Sequence, residues 1–140
     1  MATTAQLNLT SDITDDSLNV TTGAKPLYLA GGTTDLNTLT SVTKILESTD
    51  HVDLITTGSV STTHSYVYIK NKSEDASEYF HIHIGDAVGS GTYDNGTLPT
   101  EEIGRLYAGD FMFFPWDVDD DITIKPSVAT KMTVEYMVFS

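Results

Sequence analysis

His81-Ile82-His83 is the pair in this sequence best placed to do chemistry. On a β-strand, side chains at i and i+2 leave by the same face. The imidazoles of His81 and His83 would then stand side by side and could share a metal ion. A third ligand has to come from elsewhere: His51, His64 or a carboxylate. The simpler alternative puts both rings on the solvent face of an antiparallel strand, or at an oligomer interface, with no metal.

Other constellations carry less. The run Asp117-Val-Asp-Asp-Asp121 has alternate carboxylates that could take a hard cation through oxygen. It lacks the sixth-position glycine and distal glutamate of a calcium-hand loop, so a solvated acidic loop is expected. No Gly-x-Ser-x-Gly elbow and no glycine-rich phosphate loop with lysine occurs, and cysteine is absent. The sequence therefore predicts no catalytic residue, no resident cofactor and no metal centre, with His81 and His83 as the metal candidates if one exists. Tyr66, Tyr68 and Tyr79 could form an aromatic face with His81, to stack a sugar or pack a neighbouring subunit. Ordinary cross-strand pairing within the chain is the alternative.

The elements that must position these residues read as strands. Thr, Ser, Val, Ile and Tyr are heavily used, while Lys and Arg total 7 in 140 residues, which is not the composition of long helices. Residues 5–29 hold short alternating patches at Leu7/Leu9, Leu18/Val20 and Pro26–Leu29, an N-terminal hairpin or meander. Between 33 and 50, Leu36, Leu39, Val42, Ile45 and Leu46 recur at helical spacing. The Thr and Ser around them are poor helix formers, so strand or loop is preferred there. His51–Thr56 alternates as a strand. Ser65–Lys70 sets Val67 and Ile69 against Tyr66 and Tyr68. Glu78–Ile84 sets Phe80, Ile82 and Ile84 against Tyr79, His81 and His83, and the two segments suggest a hairpin. Residues 85–99 form a glycine-rich excursion with a tight turn expected at Asn95-Gly96.

The stretch Ile103-Gly-Arg-Leu-Tyr-Ala-Gly-Asp-Phe-Met-Phe-Phe-Pro-Trp116 reads as two strands around a turn at Ala108-Gly109-Asp110. Phe111 and Phe113 are expected to fill the core, and Trp116 to sit at the rim where a neighbour could cover it. Ile122–Ile124 and Met132–Phe139 complete the set, with Met132, Val134, Tyr136 and Val138 on one face. The prediction is an all-β, single-domain β-sandwich or jelly roll over residues 1–140, with about eight to ten strands at roughly ten-residue intervals.

The formal net charge of -13 repels nucleic-acid phosphates and argues against a DNA or RNA role. No apolar stretch is long enough for a membrane helix, and Met1-Ala-Thr-Thr-Ala5 lacks the pattern of a secretory leader.

The His pair, with Leu106–Asp110 and Pro115, resembles part of the cupin pattern, in which two histidines are followed by a glutamate and later by a further histidine. Gly85-Asp-Ala-Val-Gly89 stands where that glutamate belongs, and no histidine follows Pro115. The cupin ligand set is therefore not carried over, and a cupin-like metalloprotein using His81 and His83 is one alternative function.

Three groups of segments resemble small structural proteins of tailed bacteriophage virions, particularly those of marine cyanobacterial hosts. They are Leu7–Ile13 with Leu18–Val20, Tyr66–Asn71, and Ile103–Trp116 followed by Ile122–Ser127 and Val134–Phe139. The resemblance implies a non-enzymatic capsid decoration or cement protein, bound to the head shell in multiple copies. It also implies a homo-oligomer, a trimer being one option, in contact with the major capsid protein and located in the virion after synthesis in the host cytoplasm. A tail or head-tail adsorption protein with a glycan- or receptor-binding role is the other alternative. The interface candidates are Tyr66, Tyr68, Tyr79 and Trp116.

Overall fold

The computed structural model describes residues 3–11, 18–29, 32–60, 64–85 and 102–140. The excursion expected at 85–99, with its Asn95-Gly96 turn, lies outside the described residues except for Gly85. Twelve strands and a short 3-10 turn at Thr57–Ser59 make up the regular structure of the described residues, with no α-helix among them. The chain divides into two compact units, Met1–Asn37 and Thr38–Ser140.

The first unit is built from four short strands, β1 (Thr4–Ala5), β2 (Asn8–Ser11), β3 (Leu18–Thr21) and β4 (Lys25–Pro26). β2 and β3 pair antiparallel with Leu9 opposite Val20, and β1 pairs with β4. The Thr22 hydroxyl accepts the Leu7 amide at 3.0 Å, and the Thr22 amide donates to the Leu7 carbonyl at 2.9 Å. This is the N-terminal hairpin that the alternating patches predict.

The second unit is the β-sandwich. Its strands are β5 (Leu39–Leu46), β6 (Val52–Ile55), β7 (Ser65–Asn71), β8 (Tyr79–Ile84), β9 (Glu102–Tyr107), β10 (Phe111–Trp116), β11 (Ile122–Pro126) and β12 (Met132–Phe139). They form two four-stranded sheets, in the orders β10-β7-β12-β5 and β6-β11-β8-β9. Every strand pairing in them is antiparallel. Apart from β8 to β9, each step along the chain from β5 to β12 crosses from one sheet to the other.

The core follows from alternation. Val67 and Ile69 of β7, Trp116 of β10, and Met132, Val134 and Val138 of β12 face Phe80 and Ile82 of β8, Leu106 of β9, and Ile122 and Ile124 of β11. These branched and aromatic side chains suit a pleated, buried surface, and their removal from water is the main driving force for closing the two sheets. The ambiguous stretch after Thr38 becomes strand β5, whose partner β12 pairs with it along its whole length.

Two expectations are corrected. β7 and β8 are not a hairpin, because they lie in opposite sheets and the polar turn between them is an arch. β9 and β10 are joined by a second arch at Ala108-Gly109, where Gly109 takes φ +87°. Asn71 ties the arches together. Its side-chain amide donates to the carbonyls of Leu106 at 2.9 Å and Glu78 at 3.3 Å. Its backbone amide donates to the Asp110 carbonyl, and its own carbonyl accepts from Gly109.

The second correction concerns the aromatic run. Phe111 and Phe113 do not fill the core, being 60% and 41% exposed. Met112, Phe114 and Trp116 point inward instead. The parity is fixed by Trp116, whose ring is 2% exposed inside the core rather than at a rim.

Candidate functional site

The outer face of the β6-β11-β8-β9 sheet carries the histidine pair that the sequence singled out. Phe80 and Ile82 point into the core, so His81 and His83 take the opposite face. Cross-strand pairing sets Lys125 of β11 and Arg105 of β9 beside His81, and Thr123 of β11 and Glu102 of β9 beside His83.

Glu102 reaches that face because of a β-bulge. The register shifts between Ile82 and His83, so Ile82 opposes Gly104 while His83 opposes Glu102 and Ile103 is left over. With unbroken alternation Glu102 would share the core-facing parity of Gly104 and Leu106. The extra residue turns it outward to the histidines, a use of bulges common beside functional sites. A second shift between Ile122 and Thr123 leaves Leu54 over on β6 and sets Asp53 opposite Thr123.

The result is compact. His81 Nδ1 lies 3.0 Å from Glu102 Oε1. One ligand atom each from His81, His83 and Glu102 fall within 4.8 Å of one another, and among the described residues this is the group of three or more such side chains gathered so closely. The His81 and His83 rings stack with centroids 6.2 Å apart, and the His51 ring lies 5.3 Å from that of His83. Arg105 Nε is 3.8 Å from the same Glu102 oxygen, and its guanidinium lies over the Tyr79 ring at 5.0 Å. His83 is 1% exposed. The side chains of His81 and Glu102 keep 20% and 35% of their surface open.

The surroundings shift two of these groups, Glu102 and His51. The hydrogen bond with His81 holds the Glu102 carboxyl below the usual carboxylate range, with His81, His83 and Arg105 nearby assisting and burial opposing. Burial brings His51 down from 6.5 to about 4, helped by His83, Lys125 and His81 and opposed by Asp50. At neutral pH the His51 ring is an uncharged base.

The other predicted residues lie elsewhere. His64 packs edge-on against Tyr66 at 5.1 Å. Tyr66 and Tyr68 belong to the outer face of the other sheet, so they do not join Tyr79 and His81 in one aromatic surface. Tyr79 instead packs on His81 and Tyr107. The acidic run is folded into a loop whose polar groups serve the backbone. Asp117 accepts from the Asp119 amide, Asp121 from the Thr57 amide at 2.7 Å, and the Asp120 carbonyl from Trp116 Nε1 at 2.8 Å.

Glu102 is the site residue that sequence reasoning missed. It follows His83 after a long intervening segment, and only the strand pairing and the bulge bring it back.

The outer face of the β10-β7-β12-β5 sheet is apolar in its upper two rows. Leu39, Phe139, Tyr66 and Pro115 follow one another across the strands, then Ser41, Met137, Tyr68 and Phe113. Tyr66 stacks on Phe113 at 5.8 Å and 7°, Tyr68 packs on Phe111 at 5.9 Å, and Phe113 meets Phe139 edge-on at 6.3 Å. The charges at the lower end of this face are Lys70 and Glu135, which are cross-strand neighbours, and Lys72, whose ammonium lies 3.9 Å from Glu135 Oε1.

Comparison with known proteins brings no match. No family model, curated protein or solved structure is significantly similar to the chain.

Proposed function

We propose that this protein is a non-enzymatic structural subunit of a tailed-bacteriophage virion, a decoration or cement protein that binds the head shell in multiple copies. The reading is supported first by the resemblance of the strand and turn segments. The observation that carries it is the aromatic face of the β10-β7-β12-β5 sheet, where Phe111 and Leu39 are 60% and 58% exposed. A contiguous apolar patch of this kind is the usual mark of an association surface. On a chain of net charge -13, its charges are two lysines, Lys70 and Lys72, around the single Glu135, so it is a place where a second acidic copy can approach closely.

We read the strand winding as a jelly roll, an architecture shared by viral capsid domains, lectins and cupins. The fold is compatible with the proposal. Repetition on a symmetric shell would turn modest contacts into firm binding through effective concentration.

The test pairs light scattering with binding to purified phage heads. The wild-type chain should form oligomers and co-sediment with shells. The double variant Phe111→Ser/Phe113→Ser should remain folded, lose self-association and weaken shell binding by at least about tenfold. A wild-type chain that stays monomeric and binds no shell overturns the reading. Loss of host adsorption by Tyr68→Ala, with shell binding intact, would favour the adsorption alternative instead.

A further inference from the structure

We propose that His81, His83 and Glu102 form a binding site for one divalent transition-metal ion of the zinc type, with a further coordination position facing solvent. The site is on the outer face of the sandwich, away from the aromatic face, and it does not depend on the assembly reading.

Geometry carries it. Three potential ligand atoms from neighbouring strands lie within 4.8 Å of one another. Ligands at zinc distances in a tetrahedral site stand about 3.4 Å apart, so the three need only small side-chain rotations to close. His81 and Glu102 are already 3.0 Å apart.

The backbone supports the same conclusion independently. The bulge at Ile103 turns Glu102 from the core-facing parity to the histidine face. A carboxylate on an exposed edge strand needs no such device to reach water. The device is explained if the carboxylate must meet the two imidazoles.

Donor chemistry selects the ion. Two imidazoles and one carboxylate suit zinc and its first-row neighbours, whereas calcium and magnesium prefer a shell of oxygens. The ligands differ in access. His83 is an inner, almost fully covered donor, while His81 and Glu102 have open edges through which an ion can enter. Binding would replace the His81–Glu102 hydrogen bond with two bonds to the metal, and Arg105 would keep its place over Tyr79.

The experiment uses the full chain, stripped with EDTA and dialysed. It is titrated with zinc chloride by calorimetry and with cobalt chloride by visible absorption. One ion per chain is expected, with cobalt bands characteristic of nitrogen ligation. His81→Ala and Glu102→Gln should each lower zinc affinity by at least about tenfold, the loss that even outer partners of a metal site produce. Both side chains are partly exposed, so their melting curves in EDTA should match the wild type. Asp117→Asn/Asp119→Asn should leave the affinity unchanged. The proposal is overturned if neither metal binds stoichiometrically. It is also overturned if zinc affinity is unchanged in both His81→Ala and Glu102→Gln, whatever the acidic-loop variant does.

Discussion

Trp116 shows how one side chain sets the parity of a whole strand. In Phe111-Met-Phe-Phe-Pro-Trp116 apolar residues occupy both parities, so alternation alone cannot say which set is inside. The indole is the largest side chain of the run, and its N–H finds a buried-side partner in the Asp120 carbonyl at 2.8 Å. That bond also closes the acidic loop, where Val118 is held at φ +67°, a conformation rare for a β-branched residue. Val118 packs against the core, which compensates the strain. Trp116→Ala should therefore cost on the order of 3–5 kcal/mol, through lost burial and a residual cavity. Urea unfolding of the two proteins measures it. A loss under about 1 kcal/mol would mean the ring is not the packing centre that its exposure of 2% implies.

At the scale of elements, the two arches depend on Asn71. It is fully buried, and Asn71→Ala would strip the Leu106 carbonyl of its side-chain donor and the Ser73 amide of its acceptor at 2.9 Å. The expected destabilisation is about 1–3 kcal/mol, the usual penalty for unsatisfied buried polar groups. Asn71→Asp should cost at least as much at neutral pH, because a carboxylate oxygen would face carbonyl oxygens. Chemical denaturation of both variants checks the order, and an unchanged Asn71→Ala midpoint would show that the arches close without it. The strands themselves were legible from the sequence, since Val67/Ile69, Phe80/Ile82 and Met132/Val134 keep strict alternation. Their partners were not. A polar turn such as Asn71–Asp75 serves a hairpin or an arch equally well, and the choice rests on a buried hydrogen bond to a strand far along the chain. The candidate site was legible by half for the same reason. The spacing of His81 and His83 gave a shared face. Glu102 could be placed there only by a bulge, which alternation forbids by construction.

For the molecule as a whole, the decisive feature is where charge is absent. The chain carries 20 acidic residues against 7 Lys and Arg, yet the aromatic sheet face presents a single carboxylate, Glu135, beside Lys70 and Lys72. Two copies meeting through this face gain from apolar burial, which salt does not weaken. They pay long-range repulsion from the remaining surface, which salt screens over about 10 Å at 0.1 M and less above it. Association should therefore strengthen as salt rises from about 0.05 M to about 0.5 M, by several-fold in the association constant. Sedimentation equilibrium across that range measures it, and Phe111→Ser/Phe113→Ser should stay monomeric throughout. An association that weakens with salt would place the contact on ion pairs instead, and the aromatic face would then have to be set aside as the assembly surface.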